Sequence, residues 1–140
     1  MRDAILMFDG GSRGNPGPSG CGYVLMNSDE TEIIAKGSEF IGKNTNNYAE
    51  YMGMILGIEK ALELNIRNLI VKGDSQLVIK QMLKEYSVKA PNLIPLYNHG
   101  NNLISRFQDI KFFHIKRNLN TIADKLANEA MDQEKDWQDN

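Results

Sequence analysis

A chain of 140 residues, 41 % hydrophobic and 24 % charged, has the size and make-up of one globular domain and excludes a disordered or fibrous polymer. The net charge of −2 is unusual for a nucleic-acid-binding domain, but it is unevenly spread: residues 129–140 carry five acids and one base, leaving 15 bases against 13 acids, or +2, in the first 128. A single cysteine, Cys21, excludes an internal disulfide and a cysteine-built zinc site, and its small neighbours Ser19, Gly20 and Gly22 mark it as a buried, inert thiol. The start of the chain lacks a signal-peptide pattern and no apolar run is long enough to span a bilayer. A cytoplasmic, membrane-free monomer is therefore expected, with one domain over residues 1–130 and an acidic tail over 131–140.

The first element is the apolar run Ala4-Ile5-Leu6-Met7-Phe8, which suits a strand covered on both faces. Asp9 is expected to end it, since the glycines and prolines of Asp9 to Pro18 read as irregular structure. A second strand is expected from about Gly20 to Asn27 and a third from about Glu32 to Ile41, joined by a short turn as a hairpin. From Asn46 to Leu64, Ala49, Met52, Leu56, Ala61 and Leu64 recur at helical spacing, with Thr45 or Asn46 as the cap. Leu69 to Asp74 reads as a strand, Ser75 to Tyr86 as a helix, and Pro91 and Pro95 open another helix ending near Phe107. A fifth strand over Ile110 to Ile115 and a helix over Ile122 to Met131 complete the pattern. The order β-β-β-α-β-α-α-β-α predicts an α/β fold: a five-stranded mixed sheet, its first three strands antiparallel, with helices on both faces.

Four acids stand where strands end or helices begin, the places where loops converge in such sheets. Asp9 and Asp74 follow strands, Glu50 lies early in the first long helix, and Asp124 opens the last one. Taken singly, Asp124 reads as a helix-start acid and Asp9 as half of an Asp-Gly turn. Taken together, in apolar or small-residue surroundings, they need a neutralising partner, because crowded carboxylates at low dielectric repel. Mg²⁺ suits oxygen ligands and phosphate. Two such ions are able to serve phosphodiester hydrolysis.

The wording around the acids carries a resemblance. Asp9-Gly10-Gly11-Ser12-Arg13-Gly14-Asn15-Pro16-Gly17, Thr45-Asn46-Asn47-Tyr48-Ala49-Glu50, Gly73-Asp74-Ser75-Gln76 and Asn118-Leu119-Asn120-Thr121-Ile122-Ala123-Asp124 resemble, in order, the four motifs of the type 1 ribonuclease H family. The resemblance implies a ribonuclease H-like fold and an endonuclease that cuts the RNA strand of RNA/DNA hybrids, leaving 3′-hydroxyl and 5′-phosphate ends. It implies Asp9, Glu50, Asp74 and Asp124 as catalytic ligands of two Mg²⁺ ions, with Mn²⁺ as a substitute. Gly10, Gly11, Ser12, Asn15, Thr45, Asn46, Asn47, Gln76 and Asn120 would contact the hybrid; for Asn46 and Asn47 helix capping is the plainer alternative. Amide side chains suit a ribose 2′-OH, which both donates and accepts.

Departures from the pattern narrow the subgroup. The stretch Glu85 to Asn92 lacks the Lys- and Trp-rich protrusion of many bacterial members, only Lys80, Lys84 and Lys89 being near, and Ile115 to Asn120 holds no histidine and leaves little room for a loop. The chain is thus similar to the compact archaeal and plant-like branch, without a hybrid-binding domain ahead of it. His99 and His114 read as structural, His114 packed within its strand. Two rivals stand beside hybrid cleavage: a nuclease of this fold acting on duplex RNA or DNA, and a non-catalytic hybrid-binding domain.

Overall fold

The computed structural model describes residues 3–138. In chain order the elements are β1 (Asp3–Ser12), β2 (Gly17–Asn27), β3 (Ile33–Asn44), α1 (Asn46–Glu63), β4 (Asn68–Gly73), α2 (Gln76–Met82), α3 (Ile94–Ile104), β5 (Asp109–His114) and α4 (Thr121–Gln138), with one 3₁₀ turn over Arg117–Leu119. The strands form a single sheet in the order β3-β2-β1-β4-β5. β1 pairs antiparallel with β2, and β2 with β3, whereas β4 lies parallel to both β1 and β5. The mixed sheet has the expected composition.

Central position explains the unbroken apolar reading of β1: Ala4 to Gly10 are all buried. On one face Leu6 and Phe8 join Tyr51, Met54 and Ile58 of α1 and Val78 of α2. On the other, Ile5 and Met7 meet Val24 and Ala123, the latter from α4. Each large side chain so buried contributes about 1.5–3 kcal/mol, so the two faces jointly fix β1 as the rigid axis of the molecule.

Boundaries differ from expectation most in three places, each for a physical reason. β1 runs past Asp9 to Ser12 and β2 starts at Gly17, with Gly10 opposite Cys21 and Gly11 opposite Gly20, so only residues 13–16 turn. These glycines serve close packing: a Cβ on Gly20 would stand 2.6 Å from the Ala130 Cβ, and one on Gly22 2.6 Å from the Leu126 Cβ, which is how α4 comes down onto β2. α2 stops at Met82, not Tyr86. Lys84 turns left-handed (φ 65°), its N–H donating to the Gln81 carbonyl and that of Glu85 to the Lys80 carbonyl, a closed helix end without a glycine. Finally, α4 continues to Gln138, so the acidic segment expected as a tail beyond Met131 is largely helical in backbone.

Candidate active site

Parallel register sets the first two acids side by side. Phe8 pairs with Gly73, so Asp9 and Asp74 are the next residues along neighbouring strands. Glu50 arrives from above, and two glycines bring it there. A Cβ on Gly10 would lie 2.2 Å from the Ala49 carbonyl carbon and oxygen, and one on Gly53 2.5 Å from the Asp9 carbonyl oxygen. Only bare backbone on both sides lets α1 approach β1 so closely. Thr45, not Asn46, caps α1, its hydroxyl accepting from the Tyr48 N–H at 3.2 Å.

The result is a convergence of carboxylate oxygens of Asp9, Glu50 and Asp74, all within 4.8 Å of one another. Asp9 and Glu50 are buried, at 6 % and 5 % exposure. They form the floor of a cavity of about 310 Å³ whose walls include Gly10, Gly11, Ser12, Arg13, Asn46, Arg117, Asp124, Asn128 and Met131. Asp124 belongs to the wall and not to the tight trio. Its side chain is one-third exposed and lies 3.5 Å from the Arg117 guanidinium.

The electrostatics are those of crowded, buried carboxylates. Burial first, and then the charge of Asp74, push the Asp9 carboxyl up to about 7, against the pull of the Gly10 N–H that donates to its Oδ1 at 2.9 Å. Burial, then the charges of Asp9 and Asp74, raise the Glu50 carboxyl well above the carboxylate range. Without a cation the group therefore holds protons at neutral pH that ordinary carboxylates have lost. Among the described residues, Glu50 Oε1 and Asn120 Oδ1 are the buried side-chain oxygens that lack a hydrogen-bond partner. A buried carboxylate with an unmatched oxygen, grouped with two more carboxylates, fits a hard divalent cation, which supplies an electrostatic partner.

The residues expected to meet a substrate divide. Gly10, Gly11, Ser12 and Asn46 line the cavity, whereas Asn15, Thr45, Asn47 and Gln76 lie outside its wall. Asn15, Asn47 and Gln76 are exposed, and the Asn15 side-chain oxygen accepts the Asn46 N–H at 2.9 Å, fixing the loop against the start of α1. Asn120 is a correction. It is fully buried, donating its amide to the Phe8 carbonyl at 2.8 Å and to Asp74 Oδ2 at 3.1 Å. It ties β1, β4 and the start of α4 together and holds Asp74, which removes it from any substrate surface. His114 is another correction: its ring is exposed at the end of β5, donating from Nε2 to the Asp74 carbonyl at 3.2 Å, instead of packing inside the sheet.

Sequence reasoning missed Arg13, Arg117, Ala127, Asn128 and Met131 as parts of the wall. Asn128 was detectable, since it follows Asp124 by one helical turn and its amide donates to the Asp124 carbonyl at 2.9 Å. Met131 gave no signal beyond the same face. Among the described residues, no helix is long and apolar enough to cross a membrane.

Comparison with known proteins agrees with this geometry. The family model described as "Reverse transcriptase-like" matches residues 7–130. A bifunctional protein of Mycobacterium tuberculosis is 44 % identical over 128 residues, covering 91 % of this chain but 35 % of that protein. Ribonuclease HI of Halobacterium salinarum is 42 % identical over 125 residues, covering 89 % of this chain and 62 % of that protein. The chain thus spans between a third and two thirds of these relatives' lengths. The solved structure of the Halobacterium RNase H1 superposes with a TM-score of 0.90 at 40 % identity, covering 94 % of this chain and 98 % of that one. LC11-RNase H1, isolated from compost and solved in complex with an RNA/DNA hybrid, gives 0.87 at 35 % identity, covering 93 % and 97 %. Residue motifs, strand order and relatives agree, and the chain belongs to the type 1 ribonuclease H family.

Proposed function

We propose that residues 1–130 form a ribonuclease H domain that hydrolyses the RNA strand of RNA/DNA hybrids, leaving 3′-hydroxyl and 5′-phosphate ends, as a monomer in the cytoplasm. The carrying observation is the trio Asp9, Glu50 and Asp74, with oxygens within 4.8 Å of one another and Glu50 Oε1 unmatched. With Asp124 at the wall, these residues would hold two Mg²⁺ ions, or Mn²⁺ in their place. Bound there, the metal supplies an activated water and charge stabilisation for the leaving oxygen.

The chain's own residues prepare that chemistry. The Gly10 N–H orients Asp9, Asn120 orients Asp74, and Arg117 stands beside Asp124. Gly10 and Gly11 leave the wall low enough for a sugar–phosphate chain to pass close to the acids. Asn46 lines the cavity, and the exposed Asn15, Asn47 and Gln76 outside its wall would offer donors and acceptors to a 2′-OH, the group that separates RNA from DNA. Support for a hybrid as substrate comes from the LC11 relative, which was solved with one bound.

A non-catalytic hybrid-binding domain fits poorly. Buried, mutually repelling carboxylates give such a domain nothing and cost it stability. A nuclease of this fold for duplex RNA or DNA is separated by experiment: matched hybrid, duplex RNA and duplex DNA are each incubated with Mg²⁺, Mn²⁺ or EDTA. Cleavage of the RNA strand in hybrid with either ion, none with EDTA, and little on either duplex is expected. Equal cleavage of a duplex, or undiminished cleavage after chelation, contradicts the proposal.

A further inference from the structure

We infer that Arg13 binds a backbone phosphate of the cut strand, next to the one over the carboxylates, and that in the free protein Asp132 occupies Arg13 in that phosphate's place. The inference rests on the hybrid-cleaving reading above and adds a residue and a competition to it.

Arg13 extends from the residue that follows β1 and lines the same cavity as the acids. Its backbone is fixed: the Arg13 N–H donates to the Pro18 carbonyl at 2.9 Å, and the preceding Ser12 hydroxyl reaches the Asn44 carbonyl at 2.9 Å. From that fixed root the side chain reaches out half-exposed, 46 % open to water. Among the described residues, Arg13 and Arg117 are the two cations of a wall that otherwise carries four carboxylates. A polyanion entering this cavity needs those cations, because the nearest other charges repel it.

Both arginines are held by one face of α4. Asp124, Asn128 and Asp132 follow at intervals of four and so form a single row. Asp124 stands 3.5 Å from Arg117, and Asp132 Oδ1 lies 2.6 Å from Arg13 Nη2. The outer pair is open to water, its side chains 46 % and 67 % exposed, so it does little to hold the fold and is cheaply exchanged. A carboxylate and a phosphate present the same paired anionic oxygens to a guanidinium fork. Asp132 is thus an internal competitor for the site.

The test compares wild type, Arg13→Gln, Asp132→Asn and the double variant in steady-state cleavage of hybrid at several salt concentrations. For Arg13→Gln, KM is expected to rise roughly five- to tenfold, and the log–log salt dependence of binding to become shallower by about one, the value of one phosphate contact. For Asp132→Asn, KM is expected to fall roughly two- to fivefold, and this gain should vanish in the Arg13→Gln background. If Arg13→Gln matches wild type in KM and salt slope, the inference fails and the functional reading stands. An equal gain from Asp132→Asn with and without Arg13 overturns it too, revealing only a general charge effect. A wild type that neither binds nor cuts hybrid overturns the functional reading, and this inference with it.

Discussion

Two buried polar regions of this molecule are built in opposite ways. Where α1 meets α2, the Tyr51 hydroxyl donates to Gln81 Oε1, and the Gln81 amide donates to the Ser87 carbonyl at 3.1 Å. That chain of bonds gives both side chains partners and anchors the segment that follows α2. Where α1 meets β1, only 31 residues away from Gln81 in sequence, Glu50 keeps one oxygen unpartnered and brings its carboxylate to within 4.8 Å of those of two further acids. Matched polar groups hold a fold, whereas an unmatched buried carboxylate oxygen beside further carboxylates suits a cation. The contrast separates structural from functional polarity without reference to any relative, and it can be broken from either side.

The largest effect is expected at the unmatched region. Asp74→Asn keeps the side-chain shape and an oxygen able to accept from Asn120, but removes one negative charge from the trio. Single-turnover cleavage should fall at least a hundredfold, a barrier change of about 2.7 kcal/mol or more, while hybrid binding survives. A variant retaining more than a tenth of the rate would mean that Asp74 is dispensable for the chemistry.

At the matched region the expected loss is of stability. Gln81→Leu strands the buried Tyr51 hydroxyl and frees the Ser87 carbonyl, which should cost about 1–3 kcal/mol and lower the melting temperature by roughly 3–10 °C. Cleavage by the folded variant should stay within about twofold of wild type. A hundredfold loss of rate with an unchanged melting temperature would reverse the assignment of the two regions.

A smaller, pH-dependent effect sharpens the comparison. Asp9 titrates near 7 in the folded protein, against about 3.9 in an unfolded chain. Between those values the folded state binds the extra proton, so stability present at low pH is lost as pH rises through the window and levels off above it. Without divalent cations the melting temperature should fall between pH 5 and pH 8 by roughly 5–10 °C. Mg²⁺ should restore more of it at pH 8, where protons no longer compete for the oxygens. Asp9→Asn should flatten the curve. A metal-free melting temperature that climbs steadily over this range contradicts the raised state of Asp9.

Much of this was legible in the residues. The nine-element order and both faces of cover followed from apolar spacing, and the four acids stood out by position, three of them meeting in one place. What stayed hidden depends on contacts between distant segments. Gly10 and Gly11 look like a turn, yet are strand residues, because the reason for their missing Cβ atoms lies in α1 and α4. Lys84 ends α2 in a left-handed conformation that nothing local in Leu83-Lys84-Glu85 announces. Asn120 has a polar side chain in a loop, which reads as surface, and its burial follows only from the coming together of Phe8 and Asp74. The Arg13 and Asp132 pair joins positions 119 residues apart, beyond the reach of any local pattern.

The central claim, that the unmatched carboxylates form a cation site, is tested most directly by calorimetric titration of Mn²⁺ into the metal-free wild type and Glu50→Gln at pH 6 and pH 8. The wild type should release more protons on binding at pH 6 than at pH 8, since Asp9, raised to about 7, must give up its proton to the ion. Glu50→Gln should bind at least tenfold more weakly. Equal affinity in the two proteins, with no proton release at pH 6, would contradict the account.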